Sequence, residues 1–119
     1  MSYDPENIFA KILRGEIPNR TVFEDEHVLA FHDIDPQAPT HVLVIPKGPY
    51  EDMVAFSARS SAEEQAAFIR AIGEVAKIMG LEESGFRIIS NNGKDGIQEV
   101  PHLHIHVLGG RRLGRMLTR

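Results

Sequence analysis

Hydrophobic residues recur at three- and four-residue spacing in two segments of the chain, which predicts two amphipathic helices. The first helix is expected over 5–15, with Asp4 as its cap. The second is expected over 61–79, because Ser-Ala-Glu-Glu at its start has the form of a capping box and Gly80 is a natural stop.

Five other segments carry β-branched and aromatic residues in strand-like patterns. The run at 41–46 is nearly all apolar, as expected of a central strand covered on both faces. Two prolines keep 35–39 out of regular structure, and the turn-rich stretch 47–58 is ambiguous. The predicted strands are 21–24, 28–33, 41–46, 86–91 and 102–108.

The order of these elements predicts the fold class. Several strands follow one another through short turns, and only one crossover contains a long helix. This order favours an α+β domain with a five-stranded, mainly antiparallel sheet and two helices on one face. Neither an internal repeat nor a linker is visible, so we expect a single domain over 1–119, with 109–119 as a basic C-terminal tail.

Composition excludes several classes of function. The absence of cysteine among 119 residues removes disulfides, thiol catalysis and thiolate metal sites. A net charge of −4 argues against binding long nucleic acids through a basic surface. No apolar run approaches the roughly 20 residues of a membrane span, and no signal peptide is visible. We therefore expect no membrane partner and a cytoplasmic protein.

Positive charge is concentrated at the end of the chain. This tail is either a solvated segment or an arm that reaches an anionic ligand or a neighbouring subunit. Its four arginines are Arg111, Arg112, Arg115 and Arg119.

Three histidines at two-residue spacing, His102, His104 and His106, are the most informative feature of the chain. In an extended strand they would share one face, while the aliphatic residues between them would face the core. Histidine is the side chain best suited to proton transfer, nucleophilic attack and metal binding near neutral pH. We therefore look for the function on this face.

Three interpretations of the triad are open: an incidental polar face, a metal site and nucleophilic catalysis by imidazole. Two of the histidines and a third ligand from elsewhere can bind zinc. All three cannot meet at one ion, because their Cβ atoms would span about 13 Å along a strand. A neutral imidazole can instead attack an electrophilic phosphorus and form a covalent intermediate that water hydrolyses.

Residues outside the triad are candidates for the same site. His41 opens the apolar central strand, either as a satisfied core histidine or as a fourth member of the site. The turn-rich segment 91–101 leads into the triad and can present backbone N–H groups to an anion. Asp33 is placed to accept hydrogen bonds from ribose hydroxyls, although a turn-initiating role fits its position equally well.

The run His102-Leu-His-Ile-His-Val-Leu108 resembles the signature of the histidine-triad (HIT) family. The following Gly109-Gly110-Arg111 resembles the Hint branch of that family, the purine nucleoside phosphoramidases. The chain is similar to the family over nearly its whole length, in blocks at 8–9, 16–18, 30–34, 36–41 and 44–46, and at Asn91 and Gln98.

The resemblance implies hydrolysis of the P–N bond of nucleoside 5′-phosphoramidates, with no metal or other cofactor. It implies a homodimer whose two sheets join into one of ten strands. His104 would be the nucleophile that becomes nucleotidylated, and His106 would contact the phosphate and the leaving group. His41 would complete the proton network, and His102 would help orient the strand.

The resemblance also implies a binding site for a purine nucleotide. Asn91 and the backbone around Gln98 and Glu99 would hold the phosphate, and Asp33 would bind the ribose hydroxyls. The residues expected to enclose the purine are Ile8, Phe9, Ile12, Phe31, His32 and Ile34.

Two positions depart from the family pattern. Glu99 stands where many members carry a serine, so only its backbone N–H is expected to contribute. Ile97, which we include in the nucleotide site, replaces a glycine and is expected to tighten the loop. Two other functions are left open: a dinucleoside polyphosphate hydrolase, which the Gly109-Gly110 ending disfavours, and a nucleotide-binding regulatory module with weak catalysis.

Overall fold

The computed structural model describes residues 3–118, so Arg119 of the tail lies outside the described residues. Within this range the chain forms three helices and five strands. The elements are α1 (Ile8–Leu13), β1 (Thr21–Glu24), β2 (Val28–His32), β3 (Thr40–Pro46), α2 (Met53–Arg59), α3 (Ala62–Ile78), β4 (Phe86–Ser90) and β5 (Ile105–Gly109).

The five strands form one antiparallel sheet with the order β1-β2-β3-β5-β4. β3 is the central strand and is buried at every position, as its apolar run predicts. The predicted α+β class with a five-stranded antiparallel sheet is confirmed. The expectation of helices on one face is wrong, because both faces of β3 are apolar and each one is covered by a helix.

α3 covers one face of the sheet through a stripe of apolar residues. Phe68, Ala71 and Val75 are almost completely buried against the middle strands. The helix begins with the predicted capping box, in which Ser61 and Glu64 bond each other's backbone N–H groups. This stripe and the strand residues that it covers belong to the larger of the two hydrophobic clusters.

α1 covers the opposite face and encloses a smaller cluster. Phe9 and Ile12 of this helix are buried against apolar side chains of β2 and β3. The cluster consists of Phe9, Ile12, Leu29, Phe31, Leu43 and Ile45. His41 shares this face, because side chains two residues apart along a strand point the same way.

Three helix predictions need correction. α1 begins at Ile8 and not near Pro5, because the side chain of buried Asn7 accepts the free N–H of Ala10 at 2.9 Å. The ambiguous stretch contains α2, capped by Asp52, which makes three helices where two were expected. Ile69, expected on the apolar face of α3, is 68% exposed.

The histidine strand begins later than predicted. β5 starts at Ile105, so His102 and His104 lie ahead of the regular strand. The pairing of β3 with β5 extends as far as Val44, which lies opposite Ile105. Further along, Pro46 has no N–H with which to continue the ladder, and the N–H of Leu103 donates instead to the carbonyl of Tyr50 at 2.8 Å.

The basic tail follows β5 without further helix or strand as far as residue 118. Arg87 of β4 fixes it by donating to the carbonyls of Gly114 and Arg115 at 2.9 and 3.2 Å. Arg111 and Arg112 are exposed. Among residues 3–118 there is no helix with the length and apolar character needed to cross a membrane.

Replacing Val75 by alanine tests the packing of α3. Val75 is 0% exposed, so Val75→Ala should lower the free energy of unfolding by about 2 kcal/mol through lost burial and a cavity. Val54→Ala is the matched control, because Val54 is 66% exposed on another helix and its truncation should change the free energy by less than about 0.5 kcal/mol. Urea unfolding of both variants measures the difference, and equal losses would contradict this packing.

Candidate active site

The sheet brings His41 and the triad together on the face covered by α1. His106 on β5 pairs with Leu43 of β3, two residues from His41. His104 precedes β5 and packs against the ring of Phe9, with centroids 4.9 Å apart. The intervening Leu103, Ile105 and Val107 point into the larger cluster on the other face. The predicted division into a histidine face and an aliphatic face is therefore confirmed, although the regular strand is shorter.

One backbone contact determines where the proton of His104 lies. Its Nδ1 is 2.8 Å from the carbonyl oxygen of His102, an atom that only accepts. Nδ1 must therefore carry the hydrogen, and Nε2 of the neutral ring keeps its lone pair. Burial lowers the pKa of His104 and so favours this neutral form. The ring is arranged as a nucleophile or base through Nε2.

His41 and His106 form a second chain of hydrogen bonds with the opposite polarity. The backbone N–H of Gln37 donates to Nδ1 of His41 at 3.0 Å, so the neutral His41 carries its hydrogen on Nε2. His41 Nε2 is 2.8 Å from Nδ1 of His106, which acts as the acceptor. The neutral His106 therefore carries its hydrogen on Nε2.

The Nε2 of His106 is the atom that this chain of bonds presents to the site. Among residues 3–118 this buried nitrogen has no hydrogen-bond partner. Burial, reinforced by the neighbouring imidazoles, lowers the pKa of His106 to about 4. The arrangement places an N–H donor beside His104, whose ring centroid lies 5.1 Å from that of His106.

Asp33 approaches the same chain of bonds from the end of β2. Its Oδ2 is 3.3 Å from His41 Nε2, and its Oδ1 accepts the backbone N–H of Asp35 at 2.8 Å. The carboxylate favours the charged form of His41, but burial outweighs it and lowers the pKa of that ring. Asp33 is thus placed to pair with the charged form of His41, while the Nε2 hydrogen of neutral His41 is directed at His106.

Asp33, His41 and His106 have the geometry of a potential metal site. One ligand atom from each lies within 4.8 Å of the others. The cluster contains only one triad histidine, in line with the argument that three residues along a strand do not converge on one ion. In the structure the lone pair of His106 Nδ1 is engaged by His41, so binding an ion would require that hydrogen bond to break. The expectation of no metal stays a prediction.

His102 is the most buried of the histidines, at 0% exposure. Its Nε2 lies 2.8 Å from the carbonyl oxygen of Pro46, and its Nδ1 lies 2.5 Å from the hydroxyl of Tyr3. Burial lowers its pKa to about 4. Both ring nitrogens are occupied, so His102 supports its neighbours and presents no free nitrogen to a substrate.

The loop before the triad is folded around Gln98. The side-chain amide of Gln98 accepts from Gly93 N–H at 2.9 Å and donates to the carbonyl of Glu51 at 2.7 Å. The side chain therefore braces the loop, and the backbone N–H groups of Ile97 and Gln98 brace it further by donating to the carbonyls of Lys94 and Gly93. Phosphate binding by this loop stays a prediction. Gly96 permits the fold, because a Cβ there would lie 2.7 Å from the backbone of Asn92.

Three further expected site residues lie in or beside this loop. Ile97 has a φ of 54° and is 76% exposed, a backbone conformation that favours glycine and is strained for a β-branched residue. The resemblance implies a glycine at this position. Glu99 is exposed, and its carboxylate raises the pKa of His104 slightly against the larger effect of burial. Asn91 is half-buried at the start of the loop.

The expected purine residues divide into two groups. Phe9, Ile12 and Phe31 are buried together, with the rings of Phe9 and Phe31 5.7 Å apart. Ile8 is 43% exposed and Ile34 is 96% exposed, so they lie at the surface. His32 is half-buried at the end of β2.

Sequence reasoning missed Gln37 and Tyr3. Gln37 acts through its backbone N–H, so its side-chain type gave no signal. Tyr3 contacts a residue 99 positions away, and no local pattern connects the two.

Comparison with known proteins gives consistent matches over nearly the whole chain. A model of the HIT domain matches residues 14–113. A HIT-like protein of Azospirillum brasilense is 64% identical over 118 residues, which cover 99% of this chain and 97% of the relative. The purine nucleoside phosphoramidase of Escherichia coli is 48% identical over 116 residues, which cover 95% of this chain and 94% of the relative. A HIT family hydrolase from Clostridium thermocellum superposes with a TM-score of 0.86 at 40% identity, over 94% of this chain and 97% of that chain.

Acid should destabilise the protein through its buried histidines. His102 and His106 have pKa values of about 4 in the folded protein, below the ordinary value of 6.5. Between these values the unfolded chain binds more protons, so the free energy of unfolding falls as the pH is lowered from 6.5. Carboxylates with lowered pKa values, such as Glu64, contribute only below 4.5.

Urea unfolding across this range measures the effect. His106→Asn should make the pH dependence shallower, because it removes one of the neutral imidazoles. A free energy of unfolding that stays constant between these pH values would contradict the burial of neutral rings.

Proposed function

This chain belongs to the HIT domain family, and from that premise we propose that it hydrolyses the P–N bond of nucleoside 5′-phosphoramidates. AMP-amine or aminoacyl-adenylate-like compounds are the proposed substrates. The observation that carries the proposal is the pair of Nε2 atoms without a partner among the described residues, a lone pair on His104 and a buried N–H on His106. Cleavage of a P–N bond requires both a nucleophile and an acid for the amine.

In the first step, Nε2 of His104 attacks the α-phosphorus. An N–P bond forms to the imidazole, and the bond from phosphorus to the amine breaks. The amine takes the proton from Nε2 of His106, and the negative charge left on that ring is offset by the positive charge on the nucleotidylated ring of His104. His41 keeps its hydrogen and donates it to Nδ1 of His106 at 2.8 Å. Asp33, 3.3 Å from Nε2 of His41, favours retention of that hydrogen.

In the second step, water attacks the nucleotidyl-histidine. The oxygen of water bonds to phosphorus, the bond to His104 breaks, and His106 takes the proton from the water. Nucleoside monophosphate leaves, and both rings regain their starting tautomers. Both proton transfers in this cycle pass through Nε2 of His106, whose ring is held by the hydrogen bond from His41, so much of the catalysis is positioning.

The remaining site residues bind the nucleotide in this proposal. Asn91 and the backbone around Gln98 and Glu99 hold the phosphate, with the N–H of Glu99 as the donor, because the N–H groups of Ile97 and Gln98 bond the carbonyls of Lys94 and Gly93. Asp33 also accepts from the ribose hydroxyls. Ile8, Phe9, Ile12, Phe31, His32 and Ile34 line the purine side.

We also propose that two chains assemble into a homodimer with a ten-stranded sheet. β4 is an edge strand, and two of its apolar side chains are partly accessible to solvent: the exposed fraction is 42% for Phe86 and 48% for Ile88. Ile78, at the end of α3, is a further exposed apolar side chain, with an exposed fraction of 52%. An apolar edge strand of this kind favours pairing with a second sheet.

His104→Ala should abolish turnover of an adenosine 5′-phosphoramidate, with a loss of at least about 10³-fold, because no other ring presents a lone pair at the same point. In wild-type protein quenched during turnover, mass spectrometry should find AMP on His104. His27→Ala is the matched control, because His27 lies outside the site beside Glu26 and its loss should leave turnover unchanged.

Other outcomes would separate the alternative functions. Activity that survives His104→Ala excludes His104 as the nucleophile. AMP binding with neither adduct nor turnover favours a regulatory module, and faster cleavage of dinucleoside polyphosphates favours the neighbouring branch. A stoichiometric bound metal with chelator-sensitive activity would restore the metal site of Asp33, His41 and His106.

Ile88→Glu should convert the dimer to a monomer, because a carboxylate on the apolar edge strand opposes pairing. Size-exclusion chromatography with light scattering should give twice the chain mass for the wild type and a single chain mass for the variant. Thr21→Glu on the other edge strand, β1, is the control and should remain dimeric. Dimeric Ile88→Glu or a monomeric wild type would rule out assembly through β4.

A further inference from the structure

We infer that the hydroxyl of Tyr3 positions His104 for attack by holding buried His102 in one tautomer. The hydroxyl lies 2.5 Å from Nδ1 of His102. The two rings meet edge to face, with centroids 5.5 Å apart at an angle of 71°. The inference adds a positioning residue to the proposed reaction.

The direction of this hydrogen bond follows from the other side of the ring. Nε2 of His102 is 2.8 Å from the carbonyl oxygen of Pro46, which only accepts, so Nε2 carries the hydrogen. Nδ1 is then a bare acceptor, and the Tyr3 hydroxyl is its donor. Burial raises the pKa of Tyr3, so the phenol keeps its hydrogen across neutral pH. His102 is 0% exposed, so bulk water does not reach its ring.

The ring of His102 controls the nucleophile through its own backbone. The carbonyl of His102 accepts the hydrogen of His104 Nδ1 at 2.8 Å. The ring is joined to its own backbone through only two rotatable bonds, so holding the ring between Tyr3 and Pro46 restricts the positions that the carbonyl can take. If the ring turns, the bond to His104 weakens and the tautomer with hydrogen on Nε2 gains population. That tautomer has no lone pair directed at phosphorus.

The residues that directly follow Tyr3 form a bonded turn ahead of α1. Asn7, only 6% exposed, donates to the carbonyl of Asp4 at 2.7 Å, and Arg14 donates to the carbonyl of Pro5 at 2.7 Å. The turn is therefore anchored to α1. The same helix carries Phe9, whose ring lies 6.3 Å from that of His102 and 4.9 Å from that of His104.

Tyr3→Phe tests the inference, because it removes the hydroxyl and keeps the ring. With an adenosine phosphoramidate as substrate, kcat should fall by about 3- to 10-fold, the effect of one lost hydrogen bond. KM should stay within about twofold, since the proposed nucleotide contacts are untouched. This kinetic measurement rests on the proposed function.

A second measurement on the same variant is independent of turnover. In the ¹⁵N spectrum of the histidine rings, the wild type should have a protonated Nδ1 and a bare Nε2 on His104. Tyr3→Phe should shift both resonances towards a mixture of tautomers. If wild-type protein fails to turn over the substrate, the proposed function is wrong, and the ring spectrum still decides the role of Tyr3.

Tyr50→Phe is the matched control, since the chain has only two tyrosines. The Tyr50 hydroxyl bonds Glu64 at 2.8 Å, away from the triad, and its removal should change neither kcat nor the His104 resonances. A Tyr3→Phe protein whose His104 resonances match the wild type would overturn the inference. Lower thermal stability with those resonances unchanged would also overturn it, because the role of Tyr3 would then be structural only.

Discussion

The antiparallel pairing of β3 with β5 is the contact on which the site depends. Its register places His106 opposite Leu43, and this brings His41 to the same face although 65 positions separate the two histidines. The same pairing buries Val107 opposite Val42 on the reverse face. Packing and chemistry are therefore fixed by one set of backbone hydrogen bonds, since a one-residue slip would exchange the two faces.

Burial of the histidines serves the proposed chemistry at a cost in stability. A neutral imidazole has the lone pair that a nucleophile needs, and desolvation lowers the pKa values of His41, His102, His104 and His106. The same desolvation makes folding unfavourable in acid, because the unfolded chain protonates first. The fold offsets this cost by giving His41, His102 and His104 backbone partners, which satisfy ring nitrogens that water no longer reaches.

Much of the fold and the membership of the site were accessible from the sequence. Alternation of His104 and His106 with Ile105 and Val107 predicted which face each residue occupies, and the apolar run of β3 predicted its central place. The position of each proton was not accessible, since it depends on the N–H of Gln37 and the carbonyl of His102. Every residue type except proline offers both of these backbone groups, so their alignment is visible only once tertiary structure brings them beside a ring.

The Nε2 atoms of His104 and His106 differ because the backbone groups behind the two rings differ in polarity. A carbonyl behind His104 takes the hydrogen of Nδ1 and leaves Nε2 as a hydrogen-bond acceptor. An N–H behind His41 does the reverse, and the relay through His41 leaves Nε2 of His106 as a donor. Two rings of the same residue type, 5.1 Å apart and both neutral, thereby acquire opposite hydrogen-bonding character. In the proposed reaction, this difference in backbone polarity is what allows identical side chains to supply both the nucleophile and the acid.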